Sequence, residues 1–201
     1  MGEDMNQDAL LEIDDPGKGP DRGQLRTRPV GLSGLPSDQA KALSARELEL
    51  ARRKDTEKAY VIAQDGTVVV SREGVEDRIV FSDDDLVQLE NCVLTHNHPS
   101  GRSFSLADLQ LAAQYRLAEI RSVTRRYVHR ARPSQETGEW PAWETGIYPQ
   151  IAEALRQATQ QTLAEAERYH WDTAQIDQAR QHAFMRALAK QCGFRYHREE
   201  E

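Results

Sequence analysis

Val93-Leu-Thr-His96-Asn-His98-Pro99-Ser-Gly-Arg-Ser-Phe-Ser105-Leu-Ala-Asp108 reads as an apolar strand that delivers two histidines, breaks at Pro-Ser-Gly and restarts as a helix. Residues two apart in a strand share a face, so His96 and His98 are expected to present both imidazoles to one side. Ser105 has the position of a helix N-cap, which puts Asp108 in the first helical turn. Two imidazoles and a carboxylate are three ligands of the kind a catalytic zinc site uses, with the fourth position left for water. The plain alternative is a solvated histidine pair at a strand end beside an ordinary cap. A second Ser-x-x-Asp, Ser82 to Asp85, has no histidine near it and reads as capping alone. The convergence of strand, histidines and capped carboxylate on one loop favours the metal.

His96-Asn97-His98-Pro99-Ser100-Gly101 with Ser105-x-x-Asp108 resembles the JAB/MPN/JAMM metalloprotease-like domains, especially their RadC-like branch. The family pattern is a Glu, later His-x-His-Pro, six residues, then Ser-x-x-Asp; here five residues, Ser100 to Phe104, fill the gap. A looser likeness, through Ser103-Phe-Ser105, Leu117-Ala-Glu-Ile120 and Trp140-Pro141, is to JAB-related domains of bacterial polymorphic toxins and phage Mu F-like head proteins. The resemblance covers about residues 55 to 145. It implies an α/β (α+β) fold, a JAB/MPN-like mixed sheet flanked by helices, with Zn2+ held by His96, His98 and Asp108. It also implies a glutamate general base near the start of an early strand. Glu57 fits that position, with Glu73 and Glu76 as fallbacks and an exposed strand-end carboxylate as the alternative reading. Ser105 would donate to the oxyanion of amide or isopeptide hydrolysis of a protein or peptide substrate. The contiguous His-Asn-His is no sign of the HNH nucleases, whose three residues are separated along the chain.

The 201 residues carry a net charge of -7, which argues against general electrostatic binding of nucleic acid. A cluster of Arg121, Arg125, Arg126, Arg130 and Arg132 leaves open a toxin or defence effector acting on nucleic acid or nucleotide, against the simpler reading as a solvated strand edge. No apolar run approaches a membrane span, and the acidic start lacks a signal peptide's pattern, so a cytoplasmic protein is expected. Cys92 and Cys192 form no Cys-x-x-Cys pair; Cys92 reads as a small buried residue.

Residues 1–35 read as an acidic disordered tail, with Leu10, Leu11 and Ile13 as a possible docking motif. Residues 36–145 form the metal-site domain. A helix is expected from Ser37 to about Lys54, with a second cap at Ser44, then a hairpin of Ala59–Ala63 and Thr67–Ser71 around Asp65-Gly66. Arg78 to Phe81 is expected as a strand, Ser82 to Glu90 as a capped helix, Leu106 to about Leu117 as an amphipathic helix, and Glu119–Thr124 and Tyr127–His129 as closing strands. Trp140 and Trp143 either line a groove or pin a loop. Residues 146–201 read as a C-terminal helical extension, a pair of helices packing on the domain and a possible surface for a protein partner, its last helix ending at Gly193. His129 reads as a surface strand residue, and His170, His182 and His197 as structural or solvent-facing. A non-catalytic JAB-like interaction module is the main alternative to an enzyme.

Overall fold

In the computed structural model, residues 29, 31–76, 78–143 and 146–200 are described; the tail through residue 28, with Leu10, Leu11 and Ile13, lies outside them. Asp65-Gly66 closes the first hairpin, with Gly66 at φ +87, where only glycine is at ease, so β1 (Lys58–Ile62) and β2 (Val68–Glu73) pair antiparallel. β3 (Val93–Asn97) pairs antiparallel with β1 and parallel with β4 (Glu119–Val123), the crossover between them being the helix α3 (Leu106–Gln114). β5 (Tyr127–Arg132) and β6 (Arg195–Glu200) follow antiparallel, so the mixed sheet has six strands in the order β2-β1-β3-β4-β5-β6. The fold is α+β.

Alternation along the strands gives the sheet two different faces. Tyr60, Ile62, Val93 and Val123 point to one side, where α1 (Ser37–Leu50) covers them with Leu43 and Leu50. Ala59, Val61, Leu94, Ile120 and Ala131 point to the other, against Leu109 and Ala112 of α3, Ala154 of α4 (Tyr148–Tyr169) and Met185 and Leu188 of α5 (Thr173–Cys192). The short helix α2 (Asp83–Leu86) opens on a complete Ser82/Asp85 capping box. Among the described residues, no helix is long and apolar enough to cross a membrane.

Several expectations are corrected. Residues 31–35 do not belong to a tail: Leu32 and Leu35 pack against the α1-side core, and the Gly31 carbonyl accepts from Arg121 and Arg130. α1 stops at Leu50, with Ser44 in its middle rather than at a cap. Arg78–Phe81 has strand-like alternation but joins no ladder, because the backbone turns back at Gly74, Val75 N–H donating to the Arg78 carbonyl at 2.9 Å. α2 ends at Leu86, and α3 ends at Gln114, beyond which Arg116 takes φ +49. α4 and α5 pack on each other and lend Ala154, Met185 and Leu188 to the core beneath the sheet, and the chain then adds β6, an edge strand that the polar Arg-Tyr-His-Arg-Glu-Glu does not announce.

Candidate metal centre

β3 is buried along its whole length, which holds His96 at 3 % exposure in the middle of the sheet. His98 lies one residue past the strand, yet its N–H donates to the Val123 carbonyl at 3.1 Å, so the ladder with β4 continues and the two imidazoles keep to one face. Gly101, at φ +76, donates its N–H to the His98 carbonyl at 3.0 Å and closes the turn after Pro99. Ser105 then caps α3 in a reciprocal box: the Asp108 N–H meets Ser105 Oγ at 3.2 Å, and Asp108 Oδ2 accepts from the Ser105 N–H at 2.7 Å and hydroxyl at 2.8 Å. The cap therefore fixes the carboxylate.

The three side chains converge. His96 Nε2 and His98 Nε2 are 2.8 Å apart, His96 Nε2 lies 3.6 Å from Asp108 Oδ1, and His98 Nε2 lies 3.7 Å from Asp108 Oδ2. Tetrahedral bonds of 2.0 to 2.2 Å would separate ligand atoms by roughly 3.3 to 3.6 Å. The two imidazole–carboxylate separations match a tetrahedral divalent ion, and the two ring nitrogens, closer at 2.8 Å, would have to part by about half an ångström to hold one. Two ring nitrogens at 2.8 Å also cannot both offer lone pairs to each other; a proton or a cation has to lie between them. Burial pushes the His96 pKa down to about 4, against the pull of Asp108, and lowers that of His98 in the same way. Burial alone would raise the Asp108 carboxyl, but the two imidazoles and the Ser105 hydrogen bonds outweigh it and hold it below its ordinary value. At neutral pH the donors are thus neutral imidazoles and a carboxylate, the protonation state that ligands need. His96, His98 and Asp108 could hold a metal ion.

Glu57 sits immediately before β1. Its N–H donates to the Val75 carbonyl at 2.8 Å and its carbonyl accepts from Gly74 at 2.9 Å, so the far end of the hairpin grips it. Asn97 grips it from the other side, its Oδ1 accepting from the Lys58 N–H at 2.8 Å and its Nδ2 donating to the Thr56 carbonyl at 3.0 Å. The sequence reading assigns Asn97 no role; its position between the two histidines, on the opposite face of β3, is the signal that points to it. Glu57 is 8 % exposed, and its carboxylate ends 3.8 Å from His98 Nε2. A cleft of about 440 Å³ opens over Glu57, His96, His98, Ser105 and Asp108, walled by Ile79 and Phe81. Glu73 instead pairs with Arg53 and Lys58, Glu76 is exposed, and neither lines the cleft.

Other candidates fall elsewhere. Arg121 is not a solvated strand-edge residue: it is fully buried and ion-paired with Glu47 and Glu119. Burial alone would lower its pKa, but the two carboxylates reverse this and raise it. Arg126 pairs with Glu200, Arg130 with Glu199 and Arg132 with Glu119, so acids answer these cations. His129 is buried, not on the surface: β6 covers it, and its Nδ1 meets the Tyr196 hydroxyl at 2.8 Å. His182 meets the same hydroxyl at 2.9 Å, while His170 and His197 are exposed. Trp140 pins its loop by donating to the Leu117 carbonyl at 2.7 Å, and neither Trp140 nor Trp143 lines the cleft. Compared with models of protein families, with curated proteins and with solved structures, the chain has no match in any of the three.

Proposed function

We propose that this protein is a zinc-dependent hydrolase of an amide or isopeptide bond in a protein or peptide, as the resemblance to the JAB/MPN/JAMM domains implies. One observation carries the reading. His96, His98 and Asp108 bring three ligand atoms together in a cleft, with a second carboxylate, Glu57, 3.8 Å from His98 Nε2. Zinc bound by these three residues would supply a Lewis acid for the scissile carbonyl and bring the pKa of a water toward neutrality. In this reading Glu57 would take the proton of the attacking water and return it to the leaving amine, a general acid–base role worth about 10² to 10⁴ in rate; its 3.8 Å approach to His98 Nε2 supports the assignment. The Ser105 hydroxyl points its one proton at Asp108 Oδ2, so it orients that ligand; donation to an oxyanion requires the hydroxyl hydrogen to swing into the cleft. Ile79 and Phe81 give the cleft an apolar wall for a side chain beside the scissile bond.

The test separates metal from chemistry. Elemental analysis of the purified full chain should give about one zinc per chain, and His98→Ala should abolish it; unchanged zinc in that variant refutes the ligand assignment. Glu57→Gln should keep its zinc and lose hydrolysis of a panel of peptide and isopeptide substrates. A zinc-loaded wild type that leaves the whole panel intact favours the non-catalytic interaction module.

A further inference from the structure

The C-terminal segment does more than cover the sheet. Tyr196, on edge strand β6, points to the metal-site face, and its hydroxyl has three partners: His129 Nδ1 at 2.8 Å, His182 Nδ1 at 2.9 Å and Ser103 Oγ at 3.1 Å. A phenol has one proton to give and two lone pairs, so this one has spent its full capacity. His129 Nε2 is buried without a partner, and an empty lone pair there is less costly than an orphaned N–H; His129 therefore carries its proton on Nδ1 and donates it to Tyr196. His129 lies in β5 and His182 in α5, so two elements clamp the tyrosine.

Of these three partners, Ser103 lies in the loop between His98 and Ser105. It is 2 % exposed, and its backbone and that of Arg102 flank the His98 imidazole. Its neighbour Phe104 is fully buried, with its ring edge-on to Tyr196 at 6.2 Å and its carbonyl accepting from Gln181 of α5 at 3.1 Å. The register continues the connection across the sheet: His96 is opposite Ser122, Ser122 opposite His129, and His129 opposite Arg198 two residues beyond Tyr196. Loop, sheet and C-terminal strand meet at one hydroxyl.

We propose that Tyr196 is a positioning residue for the metal loop: through Ser103 it holds the segment that orients His98, so the last strand of the chain sets the affinity of the cluster for its ion. The inference rests on the metal reading of His96, His98 and Asp108. Groups that orient a ligating histidine typically contribute 10- to 100-fold to metal affinity. Tyr196→Phe removes the hydroxyl and keeps the ring against Phe104; Ser103→Ala removes the loop's half of the contact and leaves the tyrosine its two histidines.

The experiment is a zinc titration of the full-length protein against a chromophoric chelator, with unfolding of the zinc-free chain measured in parallel. Tyr196→Phe and Ser103→Ala should each weaken zinc binding by about 10- to 100-fold, and the double variant should lose no more than the weaker single, because both cut one link. Arg126→Ala, which frays the pairing of β5 with Glu200 at the far end of β6, should lower unfolding temperature without moving zinc affinity. Affinity within twofold of wild type in Ser103→Ala overturns the proposal, as does full additivity in the double variant. If Tyr196→Phe fails to fold, Ser103→Ala alone decides. A wild type that takes up no zinc refutes the proposed function itself, and this inference with it. A wild type that binds zinc as tightly as Ser103→Ala refutes only the inference.

Discussion

Acid should destabilise the zinc-free protein well above the pH at which carboxylates titrate, and His96 sets the size of the effect. Its folded pKa is depressed from 6.5 to about 4, chiefly because burial at 3 % exposure disfavours the imidazolium. The unfolded chain therefore binds the proton more tightly than the folded one, and stability must rise with pH between the two values. Run downward, the stability that His96 contributes is complete above about pH 6.5 and is lost progressively until the pH passes about 4. At 1.36 kcal/mol per unit the full loss is about 3 kcal/mol, of which about 2 kcal/mol is gone by pH 5. His98, His129 and His182 are shifted in the same direction by burial, so they steepen the slope rather than cancel it. The assay is urea denaturation in the presence of a chelator at pH 7.5, 6, 5 and 4.5, comparing wild type with His96→Gln. The wild type should lose about 2 kcal/mol more than His96→Gln between pH 7.5 and 5. Parallel pH profiles for the two proteins would refute the reasoning, since they would mean that His96 is not held neutral by its surroundings. Saturating zinc should deepen the acid dependence, because protons compete with the ion for the same nitrogens.

Three further outcomes follow from the same geometry. Arg121→Met leaves Glu47 and Glu119 buried without their shared cation and should cost about 3 to 5 kcal/mol, a fall in unfolding temperature of roughly 6 to 20 °C by calorimetry. Gly74→Ala puts a methyl 2.1 Å from the Arg78 carbonyl, so the turn that grips Glu57 must shift; zinc content should stay while hydrolysis falls at least tenfold in a turnover assay. Asn97→Ala should do the same from the opposite side, since it frees Thr56 and Lys58 from β3, and unchanged turnover would show that Glu57 is held by the hairpin alone.

The strand–loop–helix of the candidate metal site was legible because each of its signals is local. An apolar run, a Pro-Ser-Gly break and a capping Ser-x-x-Asp are read within sixteen consecutive residues, and the structure keeps all of them, at Val93–Asn97, Gly101 and Ser105. Glu57 was legible only by analogy, since the groups that place it, Asn97 and Gly74, are far along the chain or carry no charge. β6 was illegible for the opposite reason. Its residues are mostly polar, and Glu199 and Glu200 find Arg130 on β5 and Arg126 just before it, a match that only appears once the strands are adjacent. Arg121 misled for a related reason: Glu119, two residues before it on β4, is one partner, but the other, Glu47, is 74 residues distant, and only with the sheet and α1 in place do the two enclose the arginine.

The position of the metal loop follows from one topological fact. β3 and β4 are the parallel pair in an otherwise antiparallel sheet, so the chain leaving β3 cannot turn back in a hairpin and must cross over through α3. That crossover sends the backbone over the carboxyl end of a fully buried strand, where side chains are rigid, and then opens a helix whose N-terminal dipole favours a carboxylate. Histidines at the strand end and an aspartate in the first helical turn are thus brought together by the connectivity itself. What connectivity does not supply is the height of the loop above the sheet, and that is where β6 enters. Only five residues, Ser100 to Phe104, separate Pro99 from Ser105, so the loop has little slack and an anchor at Ser103 would transmit to His98 instead of being absorbed. Lengthening the loop by one residue between Gly101 and Arg102 should therefore uncouple the two, leaving zinc affinity insensitive to Tyr196→Phe. A loop-extended protein that still loses affinity with that substitution would show that Tyr196 acts on the cluster through the sheet and His129 instead.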